Sequence, residues 1–131
     1  MKNIEKNSPE ALINIACLMA AVDNEIHPKE IEMIKELSKE VGVSEAYSIE
    51  LLDEIMKKNE FEDLCLEAIQ MISSTELQKK ALNMVTKVST ADNFIKEKEY
   101  LFMQLAVENW NIFSWLSLMK YLHIKDPIHL I

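Results

Sequence analysis

The sequence predicts an all-α fold, one globular bundle of about seven helices. Apolar residues recur with helical rather than alternating spacing along nearly the whole chain. Helix-start signals precede most of the apolar stripes. Turn-formers are scarce, with one glycine and three prolines in 131 residues. A sheet protein of this size would need more of them at its turns. The length suits a single domain over residues 1–131 with one core. Hydrophobic residues at 49% and charged residues at 27% place the chain among ordinary globular proteins.

The first helix starts at Ser8-Pro9-Glu10, an N-cap followed by proline at the first helical position. It carries Leu12, Ile15, Ala16, Met19 and Val22 on one face, with Ile13, Cys17 and Leu18 apolar as well. A helix apolar all round belongs at the centre of the bundle. The second follows His27, with Pro28 first and Glu30 in the first turn, where a carboxylate meets unpaired amides. It is expected to bury Ile31, Ile34, Leu37 and Val41, and Gly42 to end it as a left-handed cap. Ser44 starts a third helix, with Ile49, Leu52, Ile55 and Met56 expected inward. A fourth is expected from about Glu60 to Ile72. Ser74 or Thr75 caps a fifth that carries Leu77, Ala81, Leu82, Val85 and Val88, and a sixth is expected from about Glu97 to Asn109. A seventh, short helix is expected around Phe113, Trp115, Leu118 and Leu122. The two tryptophans, Trp110 and Trp115, either close the end of the core or form a surface for a partner or a second copy.

A shift of 69 residues lays residues 11–41 over 80–110. "VDNEIHPKE", Val22 to Glu30, falls on "ADNFIKEKE", Ala91 to Glu99. Asp23 meets Asp92, Asn24 meets Asn93, Ile26 meets Ile95 and Glu30 meets Glu99. The apolar positions of the flanking helices stay in register, Ile15 with Met84, Met19 with Val88, Ile34 with Met103 and Leu37 with Ala106. The expectation is an internal repeat of two helix-loop-helix units, each burying the other's apolar face.

The formal charge is -8, from 22 acidic and 14 basic side chains, and arginine is absent. Such a surface repels nucleic acid and anionic membranes and lacks the forked donor that recognises phosphate in two contacts. The longest apolar run, Ile15 to Val22, is eight residues, far below the roughly 18 that would span a bilayer. The polar start, "MKNIEKNSPE", is unlike a secretory leader, so the expected compartment is the cytoplasm. Cys17 and Cys65 sit in apolar helical stretches without a CxxC or a nearby histidine, and are expected to be buried free thiols. His123 and His129 have no third partner at zinc-site spacing. No phosphate loop, HxxxH or nucleophile-base spacing occurs, so the expectation is a protein that is not an enzyme.

The two acidic loops have two readings. In one they are turns and caps: Asp23 or Asp92 accepts amides just ahead of it, Asn24 and Asn93 take left-handed backbone, and Glu30 and Glu99 cap the next helix. In the other, Asp23, Glu30, Asp92 and Glu99 are ligands of a divalent cation, calcium, magnesium, manganese or zinc. The spacing repeats the second half of an EF-hand loop, an acid, a special-backbone residue, an isoleucine and a closing glutamate. The first half is missing, because Met19, Ala21, Val88 and Thr90 stand where further ligands belong. A calcium-sensor EF-hand is thereby excluded, and a weaker site completed by backbone carbonyls or other carboxylates is what remains.

The stretch "MAAVDNEIHPKEIEMIKELSKEVG" and its degenerate copy "VSTADNFIKEKEYLFMQLAVE" resemble the tellurite-resistance TerB-like family, whose pattern is A-D-G-x-I-x-x-x-E in an all-helical domain. They also resemble the N-terminal cytoplasmic domain of membrane-anchored J-domain co-chaperones. The resemblance covers roughly residues 9 to 110 and departs at the family's glycine, which is Asn24 and Asn93 here. It implies a stress-associated, non-catalytic binding protein with an acidic metal site on Asp23, Glu30, Asp92 and Glu99. The alternative is a scaffold or self-association module that uses the aromatic C-terminal helix, with the loops purely structural.

Overall fold

The computed structural model describes residues 3–58, 60–91 and 95–111. Six helices follow one another there: α1 Pro9–Ala21, α2 Pro28–Val41, α3 Glu45–Lys58, α4 Phe61–Gln70, α5 Thr75–Ser89 and α6 Glu97–Trp110. The seventh helix expected around residues 113–122, with Trp115, and the histidines His123 and His129 lie outside the described residues.

The helix at the centre is α1, and it packs against each of the other five. Ten consecutive or near-consecutive residues, Ala11–Ile13 and Ile15–Ala21, are buried, as expected of a helix without a solvent face. Ser8 caps it, its Oγ accepting from the Ala11 amide at 3.1 Å. Around α1 the contacts close in two groups, α2 with α3 and α5, and α6 with α4 and α5. The core includes Leu12, Leu18, Ile34, Ile69, Leu82 and Met103. Cys17 and Cys65 are free and buried, and burial pushes both thiols up to about 12, Cys65 with a smaller contribution from Glu62. Thiols so protonated are poor nucleophiles.

Three small polar groups lie inside the α1, α2 and α3 contact. Ser38 and Ser48 share a hydrogen bond at 2.6 Å, Ser38 also donates to the Ile34 carbonyl, and the Cys17 thiol reaches the Ser48 carbonyl at 3.7 Å. Turning Ser48 inward turns Ile49 outward, where it is 36% exposed. The expectation that Ile49 faces the core is therefore corrected: Ser48, Leu51, Leu52 and Ile55 form the inward face of α3.

Gly42 ends α2 at φ 82°, its amide turned back on the Ser38 and Lys39 carbonyls, the left-handed cap its sequence position suggested. Helix α4 is shorter than expected and stops at Gln70. Asn7 accounts for this end: its amide donates to the Met71 carbonyl at 2.9 Å, and its Oδ1 accepts from the Ser73 and Ser74 amides. The segment before α1 thus ties the α4–α5 connection to the start of the central helix. Ser74 then caps α5. At the far end of α6 the indole of Trp110 is buried and donates to the Ile69 carbonyl at 3.0 Å, so this tryptophan closes the core.

Candidate acidic centre between two loops

The α1–α2 loop is built as its residues suggested. Asp23 Oδ1 accepts the Glu25 amide at 3.2 Å, a turn closed by the side chain. Asn24 sits at φ 65°, in the left-handed region that asparagine tolerates better than most residues. His27 is the N-cap of α2, its Nδ1 accepting from the Lys29 amide at 3.1 Å. Glu30, at the third helical position, turns back so that its Oε1 accepts the His27 amide at 2.9 Å. This is one half of a capping box.

The α5–α6 loop ends in the same way. Glu99 is the third residue of α6, and its Oε1 accepts the Lys96 amide at 2.9 Å. Asp92 and Asn93, with Phe94, lie outside the described residues.

The two loops lie side by side. Lys96, from the second, places its ammonium 2.8 Å from Asp23 Oδ2 in the first. Glu30 and Glu99 are neighbours there, and the interaction with Glu30 raises the proton affinity of the Glu99 carboxyl. Helix α1 packs against α5, and the ion pair between the loops that follow them puts the ends of both helices at the same pole of the bundle.

Both glutamates are deeply buried, at 1% exposure each. A capping box needs only one oxygen of each carboxylate and is ordinarily wet. Here Glu99 Oε2 is buried, and among the described residues no donor reaches it. Two carboxylates are both acceptors, so their contact becomes a hydrogen bond only when they share a proton. The Glu99 carboxyl is accordingly pushed up to about 8. Burial is the main cause, and the neighbouring Glu30 and Asp23 add to it while the Lys96 amide pulls the other way. Lys96 is shifted upward by its hydrogen bond to Asp23, with Glu30 and Glu99 contributing through their charge.

Of the four residues named from the sequence as ligands, the fold brings Asp23, Glu30 and Glu99 into one electrostatic cluster. Among the described residues no group of three or more His, Cys, Asp or Glu side chains is arranged to hold a metal ion. The ammonium of Lys96 stands among the acids, and it is the residue the sequence reading overlooked. Its signal was present: the repeat alignment pairs Lys96 with His27, which makes it the one lysine aligned with the cap position of the first loop.

Carboxylate oxygens are the ligand type that hard divalent cations take, but Asp23, Glu30 and Glu99 are not arranged as a ligand set in this structure. The Lys96 ammonium occupies Asp23 Oδ2 in place of such a cation. Among the described residues no helix is long and apolar enough to cross a membrane. Comparison with known protein families, with curated proteins and with solved structures finds no match for this chain.

Proposed function

We propose that this chain is a non-catalytic binding protein of the TerB-like kind, associated with chemical stress, whose acidic centre takes up a divalent cation on Asp23, Glu30 and Glu99. Asp92 is the fourth candidate ligand by its place in the sequence. The reading includes the duplication: residues 11–41 and 80–110 are two copies of one helix-loop-helix unit, and the centre lies where their loops meet.

The observation that carries the reading is the buried Glu99 Oε2 without a donor, in a carboxyl group that interacts with a second buried glutamate, Glu30. A cap alone gives no reason to bury both acids, since an incompletely paired buried carboxyl costs several kcal/mol. Cation uptake gives one. A divalent ion would replace one proton and one ammonium, an exchange that conserves charge inside the centre. With the ion bound, Asp23 and the two glutamates would supply hard oxygen ligands from both halves of the chain. Binding would then tie the halves together, and tellurite, itself an anion, need not enter an acidic centre for the protein to act in resistance.

Calorimetric titration of chelator-treated protein with calcium, magnesium, manganese and zinc tests this. Saturable binding of at least one ion is expected. Replacing Lys96 by methionine should raise the affinity about tenfold, because the competing ammonium is gone. The same change should lower stability of the metal-free protein by about 1 kcal/mol, because Asp23 loses its partly exposed ion pair with Lys96. Absence of binding heat for all four ions at two temperatures would leave the loops as turns and caps.

A second reading, self-association, is favoured by Leu101 and Leu105, which are exposed one turn apart on the outer face of α6. The aromatic segment first suggested for this role lies outside the described residues. Light scattering should show a mass above that of one chain, falling to the monomer in Leu101→Glu. A monomer at all concentrations would count against the reading.

A further inference from the structure

Charge is distributed unevenly along the chain. Through Ser74 there are 16 acidic side chains against seven lysines, and from Thr75 onward six against seven. The difference is sharpest between two successive helices. The exposed side chains of α4 are Glu62, Asp63, Leu66, Glu67 and Gln70, and this helix carries no lysine. The exposed side chains of α5 include Lys79, Lys80, Asn83 and Lys87, and its one acid, Glu76, lies in the first turn. Helix α4 packs on α1 and α6, whereas α5 packs on α1, α2 and α6. Each helix therefore keeps one face on solvent, acidic in α4 and basic in α5.

Neither face is neutralised within the chain. Lys39, Lys57 and Lys96 have carboxylate partners, but among the described residues no ion pair engages Lys79, Lys80, Lys87, Asp63 or Glu67. The two faces match in spacing as well as in sign. Lys80 and Lys87 are seven positions apart, as are Glu60 and Glu67, which is about 10.5 Å along a helix axis. Leu66 is 39% exposed among the acids of α4. The methylene stems of long lysines cover an isolated leucine of this kind while their ammonium groups reach the carboxylates beside it.

We propose that the lysine face of α5 in one copy of this chain docks on the acidic face of α4 in another. The charges select a second copy as the occupant, because every copy carries both complementary faces. Docking α4 on α4 would set acid against acid, and α5 on α5 lysine against lysine. The contact is therefore head to tail, and it builds short chains or a ring rather than a two-fold dimer. Exposed ion pairs are individually weak and are screened by salt, and the charge of -8 opposes close approach. The contact is accordingly weak, populated at high protein concentration and lost at high salt. It rests on neither the cation centre nor Leu101 and Leu105.

The test is sedimentation velocity of the full chain up to about 1 mM, the range of a weak contact, at about 50 mM and about 1 M salt. A sedimentation coefficient that rises with concentration at low salt, and stays at the one-chain value at high salt, is expected. Lys80→Glu with Lys87→Glu, and separately Asp63→Lys with Glu67→Lys, should each abolish the rise with helix content unchanged. Mixing the two double variants should restore it, because each then meets faces of opposite sign, a result that misfolding of either variant does not produce. A wild type that stays at one chain, a rise in either variant alone, or a mixture that does not associate would each overturn the proposal. Binding of poly-glutamate by a wild type that does not self-associate would give the α5 face to a foreign acidic partner instead. A rise that persists at high salt would mark an apolar contact, such as one through Leu101 and Leu105, in place of this one.

Discussion

Glu99→Gln is expected to abolish most of the loss of stability that the wild-type protein suffers between weakly acidic and alkaline pH. In the folded chain the Glu99 carboxyl is raised from its ordinary value of 4.5 to about 8, chiefly by burial. Between those values the native state holds a proton that the unfolded chain has released. Stability contributed by this group is therefore full below about 4.5, declines as pH rises, and levels off above about 8. The slope is at most about 1.4 kcal/mol per pH unit, and other groups reduce it in practice. Glutamine keeps the oxygen that accepts the Lys96 amide and offers an amide N–H to Glu30 at every pH. Urea denaturation at pH 5, 7 and 9 should show the variant gaining on the wild type as pH rises. Parallel profiles for the two proteins would mean that Glu99 is ionised in the fold, and the shared-proton account of the pair would fail.

Trp110→Ala should cost about 3–5 kcal/mol, the usual range for removing a large buried aromatic side chain. Trp110 is 9% exposed at the end of α6, and its indole supplies a buried bond to the Ile69 carbonyl. Its loss opens a cavity between α6 and α4 and removes one of the donors to that carbonyl, which keeps the Ile72 amide at 3.3 Å. Trp110→Phe separates the two effects: it keeps most of the packing and should cost about 0.5–1.5 kcal/mol, the worth of one buried hydrogen bond to a carbonyl that keeps its Ile72 donor. Chemical denaturation of both variants checks the pair of values. A near-neutral Trp110→Ala would show that the end of α6 is not part of the cooperative core.

Local chemistry was readable where it depended on neighbours in sequence. Ser8, Ser74, Gly42 and Asn24 all do what their positions suggested, because caps and left-handed turns involve only a few consecutive residues. The central place of α1 was readable for a different reason: a helix apolar on every side has no alternative. Ile49 was misassigned because an apolar count cannot see that Ser48 finds a buried partner in Ser38. The lengths of α4 and its connection to α5 depend on Asn7, more than sixty positions away, and no local pattern reveals that bond.

The candidate centre was legible in its parts and not in its assembly. Glu30 and Glu99 were readable both as caps and as acids of a cation site, and the cap geometry is present for each. Their proximity depends on α1 lying against α5, a long-range packing event. Lys96 looked like an ordinary loop lysine, and only the pairing with Asp23 across the two loops gives it a role. Ile95 and Ile26 are half-buried against the core, so the loops are anchored on both sides of this ion pair.

The measurement that bears most directly on the cation centre is manganese binding to the wild type and to the double variant Glu30→Gln, Glu99→Gln, with helix content monitored by circular dichroism. Glutamine preserves the cap acceptors, so the double variant should keep its helices while losing manganese binding. Unchanged manganese affinity in a well-folded double variant would contradict the assignment of the buried carboxylate pair as the site.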